Sequence, residues 1–198
     1  MINPYQVVKD FEGMLSRYTH APYVVCVNSC TAALLLACDW DLKGDIAGIP
    51  KHTYVSVPMM LKQLGFNVIF TDEQWNGCYQ IQPSNVWDCA RRFTSGMYVP
   101  GQFQCVSFAS NKILGIEQGG AILHDNPPAD KWFRRMRFDG RTGGVDPRDD
   151  TFDLVGYHCP MLPSIAAQGI LRLFHLPKHN PDMPDHDYPD LSQHPAFQ

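Results

Sequence analysis

The feature that most constrains the fold is a regular alternation of short apolar segments with helical segments between Tyr23 and Asp72. YVVCVN, DIAGIP and NVIFTD have the length and composition of buried strands, whereas SCTAALLLACDW and TYVSVPMMLKQLG are typical of helices. Strands separated by helices favour parallel neighbours, since a parallel connection needs a long crossover. We therefore expect an α/β fold of three layers, with a largely parallel sheet covered by helices on both faces.

The rest of the chain extends this pattern less regularly. An amphipathic helix is predicted over residues 4–18, with Asn3 as its N-cap and Pro4 at its first position. After Asp72, four strand-like segments follow one another closely: YQIQ, NVWD, QCVSFA and GGAILH. Two helical segments come later, ADKWFRRMRF and PSIAAQGILRLFH.

A change of composition divides the chain into a domain, residues 1–176, and a tail, residues 177–198. The tail is rich in Pro, Asp and His and has no apolar periodicity, so we expect it to be extended or disordered. Its His and Asp residues are irregularly spaced, which favours a solvated segment over a metal site.

Charge and cysteine content exclude several classes of function. The net charge is −4 with no basic block, which argues against a nucleic-acid partner. No export signal or membrane-spanning run is visible. The seven cysteines have no CxxC spacing, so we expect reduced thiols in a cytoplasmic protein rather than a disulfide framework or a zinc site.

Three polar groups follow predicted strands and should therefore meet at one edge of the sheet. They are a helix N-terminus (Ser29, Cys30, Thr31), a strand-end carboxylate (Asp88), and a loop hydroxyl with an amine (Ser107, Lys112). Each group alone is more often a helix cap, an ion pair or a surface lysine. Only their combination points to a site.

Together these groups are the parts needed to hold pyridoxal 5′-phosphate. A helix N-terminus binds phosphate, a carboxylate can keep the pyridine nitrogen protonated, and a buried lysine can supply a neutral amine. The sequence lacks the GxGxxG, Walker, GxSxG and HExxH motifs of the common alternatives.

Five segments, in order, resemble the DegT-type (DegT/DnrJ/StrS) pyridoxal-phosphate-dependent sugar aminotransferases. They are FEGMLSRYTHAPYVVCVNSCTAALLLA, IPKHTYVSVPMMLKQLGFNVIFTD, CVSFASNKILGIEQGGAILHDN, RRMRFDGR and GYHCPMLPSIAAQGILRLFHLP. The resemblance implies the large domain of fold-type-I transferases and amino transfer, with glutamate as donor, to a keto group of a nucleotide-linked sugar. It also implies a homodimer with a shared site.

The resemblance assigns roles to individual residues. Lys112 matches the lysine that forms a Schiff base with the cofactor, and Asp88 matches the partner of the pyridinium nitrogen. The remaining cofactor-binding positions are the phosphate-binding group (Ser29, Cys30, Thr31, Ser107), a ring-stacking aromatic (Tyr54), a residue near the ring oxygen (Arg91) and a residue from the neighbouring subunit (His158).

Departures from the family pattern leave other functions open. Cys30 stands for a glycine, Gln118 for a glutamate and Pro160 for an arginine. One strand–helix unit is missing before Asp88, and the chain stops where the family's C-terminal domain would start, so we expect a shortened member. The alternatives are a non-catalytic binding or assembly module, and a partial enzyme completed by another chain.

Overall fold

The computed structural model describes residues 3–183 and 187–197, which form mixed α/β structure. The strands are β1 (Tyr23–Val27), β2 (Ile46–Pro50), β3 (Asn67–Thr71), β4 (Tyr79–Ile81), β5 (Val86–Asp88), β6 (Phe103–Ser107) and β7 (Gly120–His124). The helices are α1 (Gln6–Thr19), α2 (Cys30–Asp41), α3 (Ser56–Gln63), α4 (Pro127–Met136) and α5 (Pro163–His175). Every predicted strand and helix is present.

The first helix begins later than predicted. Asn3 is not its N-cap, because the Asn3 side-chain oxygen accepts a hydrogen bond from the backbone of Tyr5 (3.0 Å) and closes a turn ahead of the helix. Tyr5 occupies the N-cap position instead, and Pro4 lies in that turn.

The sheet is mixed, so the expectation of a largely parallel sheet is wrong. Five strands pair in the order β1-β7-β6-β5-β4, and only β5 and β6 are parallel neighbours. β2 and β3 form a separate parallel pair, joined to the end of β4 by a bridge between Gly48 and Gln82. The short connection between β4 and β5, residues 82–85, permits only an antiparallel pair, whereas the longer connection between β5 and β6 allows a parallel one.

The strand directions still bring several chain segments to one edge. Because β7 is antiparallel to both β1 and β6, those two strands point the same way, and β5 runs parallel to β6. The carboxyl ends of β1, β5 and β6 therefore share an edge with the start of β7. In α/β sheets this carboxyl edge is where ligands bind.

Helices cover both faces of the sheet, as predicted. Val25 and Val27 of β1 belong to a core with residues of α2, α3 and α4, whereas Val24 and Cys26 belong to a second core with residues of α1 and α5. The alternation follows from the period of two in a strand. The result is three layers with the sheet in the middle.

The segment after α5 packs against the domain rather than lying free. We call its described residues, 177–183 and 187–197, the strap. Leu191 is 2% exposed, and the ring of Phe197 lies 5.9 Å from that of Phe70. Short 3-10 turns at Leu191–Gln193 and Pro195–Phe197 interrupt its otherwise irregular path.

Candidate active site

A cavity of about 340 Å³ lies at the carboxyl edge of the sheet. All the predicted site residues except His158 line it. They are Ser29, Cys30, Thr31, Tyr54, Asp88, Arg91, Ser107 and Lys112. Since they come from four separate stretches of the chain, the fold brings together groups that the sequence keeps apart.

One end of the cavity is formed by the N-terminus of α2. Ser29 caps the helix by accepting a hydrogen bond from the backbone of Ala32 (3.1 Å). Cys30 and Thr31 are the next two residues, and N–H groups at this position have no acceptor within a helix. The Cys30 thiol points toward the carbonyl of Cys105 (3.6 Å). This end therefore offers backbone donors and the positive pole of a helix to an anion.

Gly120 allows α2 to approach the sheet closely enough to build this end. A β-carbon at Gly120 would lie 2.5 Å from the backbone nitrogen of Cys30, which is too close for any side chain. Gly120 pairs with Val27 in the sheet, directly before the turn into α2. The start of β7 thus fixes the position of the helix N-terminus.

Asp88 is a buried carboxylate at the end of β5, only 4% exposed. It accepts hydrogen bonds from the backbone of Ala90 (2.9 Å) and from the hydroxyl of Tyr79 (3.1 Å). Burial raises the pKa of Asp88, while these two hydrogen bonds and the charge of Lys112 act in the opposite direction. Its position suits a partner for a positively charged ring nitrogen.

Lys112 lies on the loop between β6 and β7, in a turn closed by the hydrogen bond from its backbone N–H to Ala109 (2.8 Å). Burial lowers the pKa of Lys112, and the positive charge of Arg91 lowers it further; Asp88 and Cys30 act in the opposite direction. A lowered pKa increases the fraction of neutral, nucleophilic amine near pH 7.

The remaining cavity residues form its walls. Arg91 is buried despite its charge, whereas Tyr54, in the loop before α3, is more than half exposed. The Thr31 hydroxyl shares a hydrogen bond with Ser56 (2.7 Å), and the Ser107 hydroxyl lies beside the backbone of Ala109 (3.5 Å). Hydroxyl groups therefore cluster at the helix end, and charged groups lie beside Lys112.

His158 does not reach this cavity within the chain. Its ring nitrogen lies 2.9 Å from the carboxylate of Asp139, and its side chain is 75% exposed. It lines a second cavity together with Pro160 and Met161, and Gln118 borders both cavities. Its role in the neighbouring subunit's site stays a prediction.

Several residues that line or support the cavity were missed from the sequence. Thr53 and Tyr79 share a short hydrogen bond (2.6 Å) behind Asp88, and Trp75 and Tyr188 contribute aromatic walls. Thr53 belongs to a segment that matches the family, so it could have been found. Tyr79 lies in a weakly patterned strand and Tyr188 in the composition-biased tail, where no local signal marks them.

Across residues 3–183 and 187–197, no group of three or more His, Cys, Asp or Glu side chains is placed to hold a metal ion. None of the helices described in those ranges is long and apolar enough to cross a membrane.

Comparison with protein families identifies the ancestry of the chain. Residues 1–99 match the model of the DegT/DnrJ/EryC1/StrS aminotransferase family, which is half of the sequence. The chain belongs to this family. Comparison with curated protein sequences gives no match. The match includes the N-terminus of α2 and Asp88, but stops before Lys112.

Solved structures of aminotransferases share the fold over most of the chain. AtS13 from Actinomadura melliaura is 17% identical with a TM-score of 0.76, and the alignment covers 86% of this chain and 60% of that one. NtdA from Bacillus subtilis, solved with bound PMP, is 19% identical with a TM-score of 0.70, covering 86% and 48%. DesV from S. venezuelae is 19% identical with a TM-score of 0.69, covering 86% and 57%. The chain thus spans three fifths or less of these relatives' lengths.

Proposed function

We propose that this family member binds pyridoxal 5′-phosphate and transfers an amino group, from glutamate, to the keto group of a nucleotide-linked sugar. The observation that carries the proposal is the convergence of Lys112, Asp88 and the N-terminus of α2 on one cavity. The family match and the PMP bound by NtdA support the choice of cofactor.

The donors and acceptors in the cavity fit this cofactor. The N–H groups of Cys30 and Thr31 and the hydroxyls of Ser29 and Ser107 suit its phosphate. Asp88 suits the pyridine nitrogen because it is buried and already held by two donors. The exposed ring of Tyr54 is the aromatic group at the cavity mouth that we assign to ring stacking.

When bound, the cofactor supplies an electron-accepting ring that stabilises negative charge on the substrate carbon. Asp88 would hold the proton on the ring nitrogen by charge and hydrogen bonding. Lys112 Nζ would first hold the cofactor covalently and then, once released, carry the proton to and from the substrate carbon. Its lowered pKa suits both tasks, because the amine must be neutral to act as nucleophile or base.

The assembly and location that we propose follow the family pattern. We assign the chain to a homodimer in which each subunit contributes to the partner's site, with His158 as the contributing side chain. The second cavity beside His158, which shares Gln118 with the first, supports this assignment. All seven cysteines are free, which suits the reducing cytoplasm.

Borohydride reduction of the protein incubated with pyridoxal phosphate tests the cofactor assignment. Peptide mapping should place the label on Lys112, and Lys112→Ala should lose both the label and the near-visible absorption band. Lys62→Ala, at an exposed lysine on α3, is the matched control and should keep both. Label spread evenly over Lys62, Lys178 and Lys112 would overturn the proposal and favour a non-catalytic module.

A further inference from the structure

Tyr188 forms part of the cavity wall although it lies far from the other site residues in sequence. Its ring centroid is 6.2 Å from that of Tyr54, so two aromatic rings stand together at the mouth of the cavity. Burial raises the pKa of the Tyr188 hydroxyl, a hydrogen bond with Arg91 lowers it, and the charge of Asp88 raises it. The hydroxyl is therefore directed toward the charged groups of the cavity.

The strap is fixed on one side of Tyr188 to the loop that follows β5. The backbone of Met183 donates a hydrogen bond to the carbonyl of Arg91 (2.9 Å), and Asp182 makes a paired contact with the guanidinium of Arg92 (2.6 and 2.8 Å). Asn180 donates to the carbonyl of Phe93 (3.2 Å). This part of the strap is thus attached to the loop that carries Arg91 into the cavity.

On the other side, the strap is fixed to the loop that follows β2. The ring of His52 hydrogen-bonds the backbone carbonyl of Tyr188 itself (2.9 Å). Lys51 pairs with Asp190 (3.2 Å), and its carbonyl accepts from the backbone of Leu191 (3.0 Å). Since the β2 and β5 loops both border the cavity, the two attachments hold the Tyr188 ring across its mouth.

The space beneath this ring is small. The cavity volume of about 340 Å³ lies near the lower end of the range of roughly 300–1,000 Å³ for small-molecule sites. A cofactor occupying it would leave little room beside Lys112 for anything beyond the reacting carbon and its neighbours.

We infer that Tyr188 is a specificity-determining residue, which limits the size of the group that reaches Lys112 and keeps the bulky remainder of a substrate outside the cavity. For a nucleotide-linked sugar, the sugar ring would enter while the nucleoside lies outside. The statement about the nucleotide-linked sugar rests on the proposed function, whereas the size limit at Lys112 does not.

Reductive alkylation of Lys112 in the cofactor-free protein tests the size limit without catalysis. Acetaldehyde serves as the small probe, and 1-pyrenecarboxaldehyde, whose four fused rings make it larger than pyridoxal phosphate, serves as the large one. Each aldehyde condenses with the amine with loss of water, and cyanoborohydride supplies the hydride that reduces the C=N bond. Peptide mass spectrometry gives the ratio of large-probe to small-probe labelling at Lys112. Dividing it by the same ratio at exposed Lys62 gives the normalised ratio. Pyridoxal phosphate labelling is run in parallel on the same samples.

Tyr188→Ala should raise the normalised ratio by about tenfold or more, since even one methylene changes discrimination in a pocket by roughly 10–200-fold. Tyr188→Phe keeps the ring and should change it less than about twofold. Tyr23→Ala removes a tyrosine at the amino end of β1, at the opposite edge of the sheet, and should leave the ratio unchanged. An unchanged ratio in Tyr188→Ala overturns the inference. If pyridoxal phosphate does not label Lys112 specifically in the parent protein, the proposed function is overturned. The large-to-small labelling ratio would still report the size limit at Lys112.

Discussion

At the scale of single residues, Asp88 determines the electrostatic character of the cavity. It is a carboxylate almost without solvent contact, held by Tyr79 and by the backbone of Ala90. Burial raises its pKa, so the ionised form is less favourable in the folded than in the unfolded protein. By linkage, the free energy of unfolding falls as the pH rises from the ordinary pKa of an aspartate through the raised pKa of Asp88. The cost would be offset once a cation binds opposite it.

Asp88→Asn should therefore stabilise the cofactor-free protein near neutral pH and lower its affinity for the cofactor. The melting temperature should exceed that of the parent protein at pH 7.5, and the difference should shrink toward pH 4, where the parent carboxylate becomes protonated. A hydrogen bond to a charged group is worth about 1.5–3 kcal/mol, so pyridoxal phosphate affinity should fall roughly 10- to 100-fold. Thermal unfolding and a spectroscopic titration measure the two effects.

Asp10→Asn is the matched control for this prediction, since Asp10 is exposed on α1. It should show neither a pH-dependent stability difference nor a change in cofactor affinity. The argument from burial would be contradicted if Asp88→Asn melted at a lower temperature than the parent protein at pH 7.5. It would also be contradicted if the two melting temperatures differed by the same amount at pH 7.5 and pH 4.

Candidate site residues could be predicted where a motif or a strand end marked them. Lys112 and the Ser29–Thr31 loop stand in segments that resemble the family, Asp88 ends a strand-like run, and the fold brings all of them to one cavity. Tyr79 and Tyr188 could not be predicted in the same way. One acts by hydrogen-bonding Asp88 across a strand pair, and the other reaches the cavity through strap contacts far apart in sequence, which no local pattern records.

At the scale of elements, α1 and α5 pack closely against each other. A β-carbon at Gly169 of α5 would lie 2.4 Å from the ring of Phe11 of α1, and that ring is completely buried. Gly13 of α1 offers a comparison, since a β-carbon there would meet only Arg17 Nη1 at an ordinary 3.6 Å. The two glycines therefore occupy helices for different reasons.

Gly169→Ala should lower the free energy of unfolding by about 1–3 kcal/mol, because the new methyl group forces two packed helices apart. Gly13→Ala should raise it by about 0.5–1 kcal/mol, because alanine loses less entropy in a helix interior. Urea denaturation of both variants measures the contrast. If both substitutions stabilise the protein alike, α1 and α5 do not pack as closely as the structure indicates.

The elements themselves were predictable, but their directions in the sheet were not. Apolar runs marked the strands because most of them are buried on at least one side, and β3 is partly buried on one side. Whether β4 and β7 pair parallel or antiparallel with their neighbours depends on the path of the connecting loops. The connection QPSN between β4 and β5 is so short that only a hairpin is possible. The β6–β7 loop, long enough for a crossover, instead carries Lys112.

At the scale of the whole molecule, α5 presents two large apolar side chains at the surface of the described chain. It buries Ala166, Gly169 and Leu173 against the domain, while Leu171 is 67% and Phe174 77% exposed. Two large apolar side chains three residues apart lie on the same side of a helix. Such a face suits the homodimer that we propose.

Light scattering should give a mass twice 22.4 kDa at micromolar concentration. The double substitution of Leu171 and Phe174 by Glu should shift the mass to that of one chain, because charges would replace the apolar contact. Ile46→Glu is the control: Ile46 is half exposed on β2, at the other end of the strand order from α1 and α5, and its substitution should leave the dimer intact. A parent protein that is monomeric would contradict the shared-site assembly.

The attachment of Tyr188 to the β2 loop also has a consequence during synthesis. A ribosome adds about 5–20 residues per second, so Tyr188 emerges several seconds after Lys112. Once β7 and α5 have also emerged, the nascent domain carries the amine, the carboxylate and the helix N-terminus, but it still lacks the wall that the strap provides. A ligand can then reach the cavity of the growing chain directly, whereas in the finished protein it must pass the rings of Tyr54 and Tyr188. Loading of the site during translation should therefore be faster than loading of the completed, folded protein.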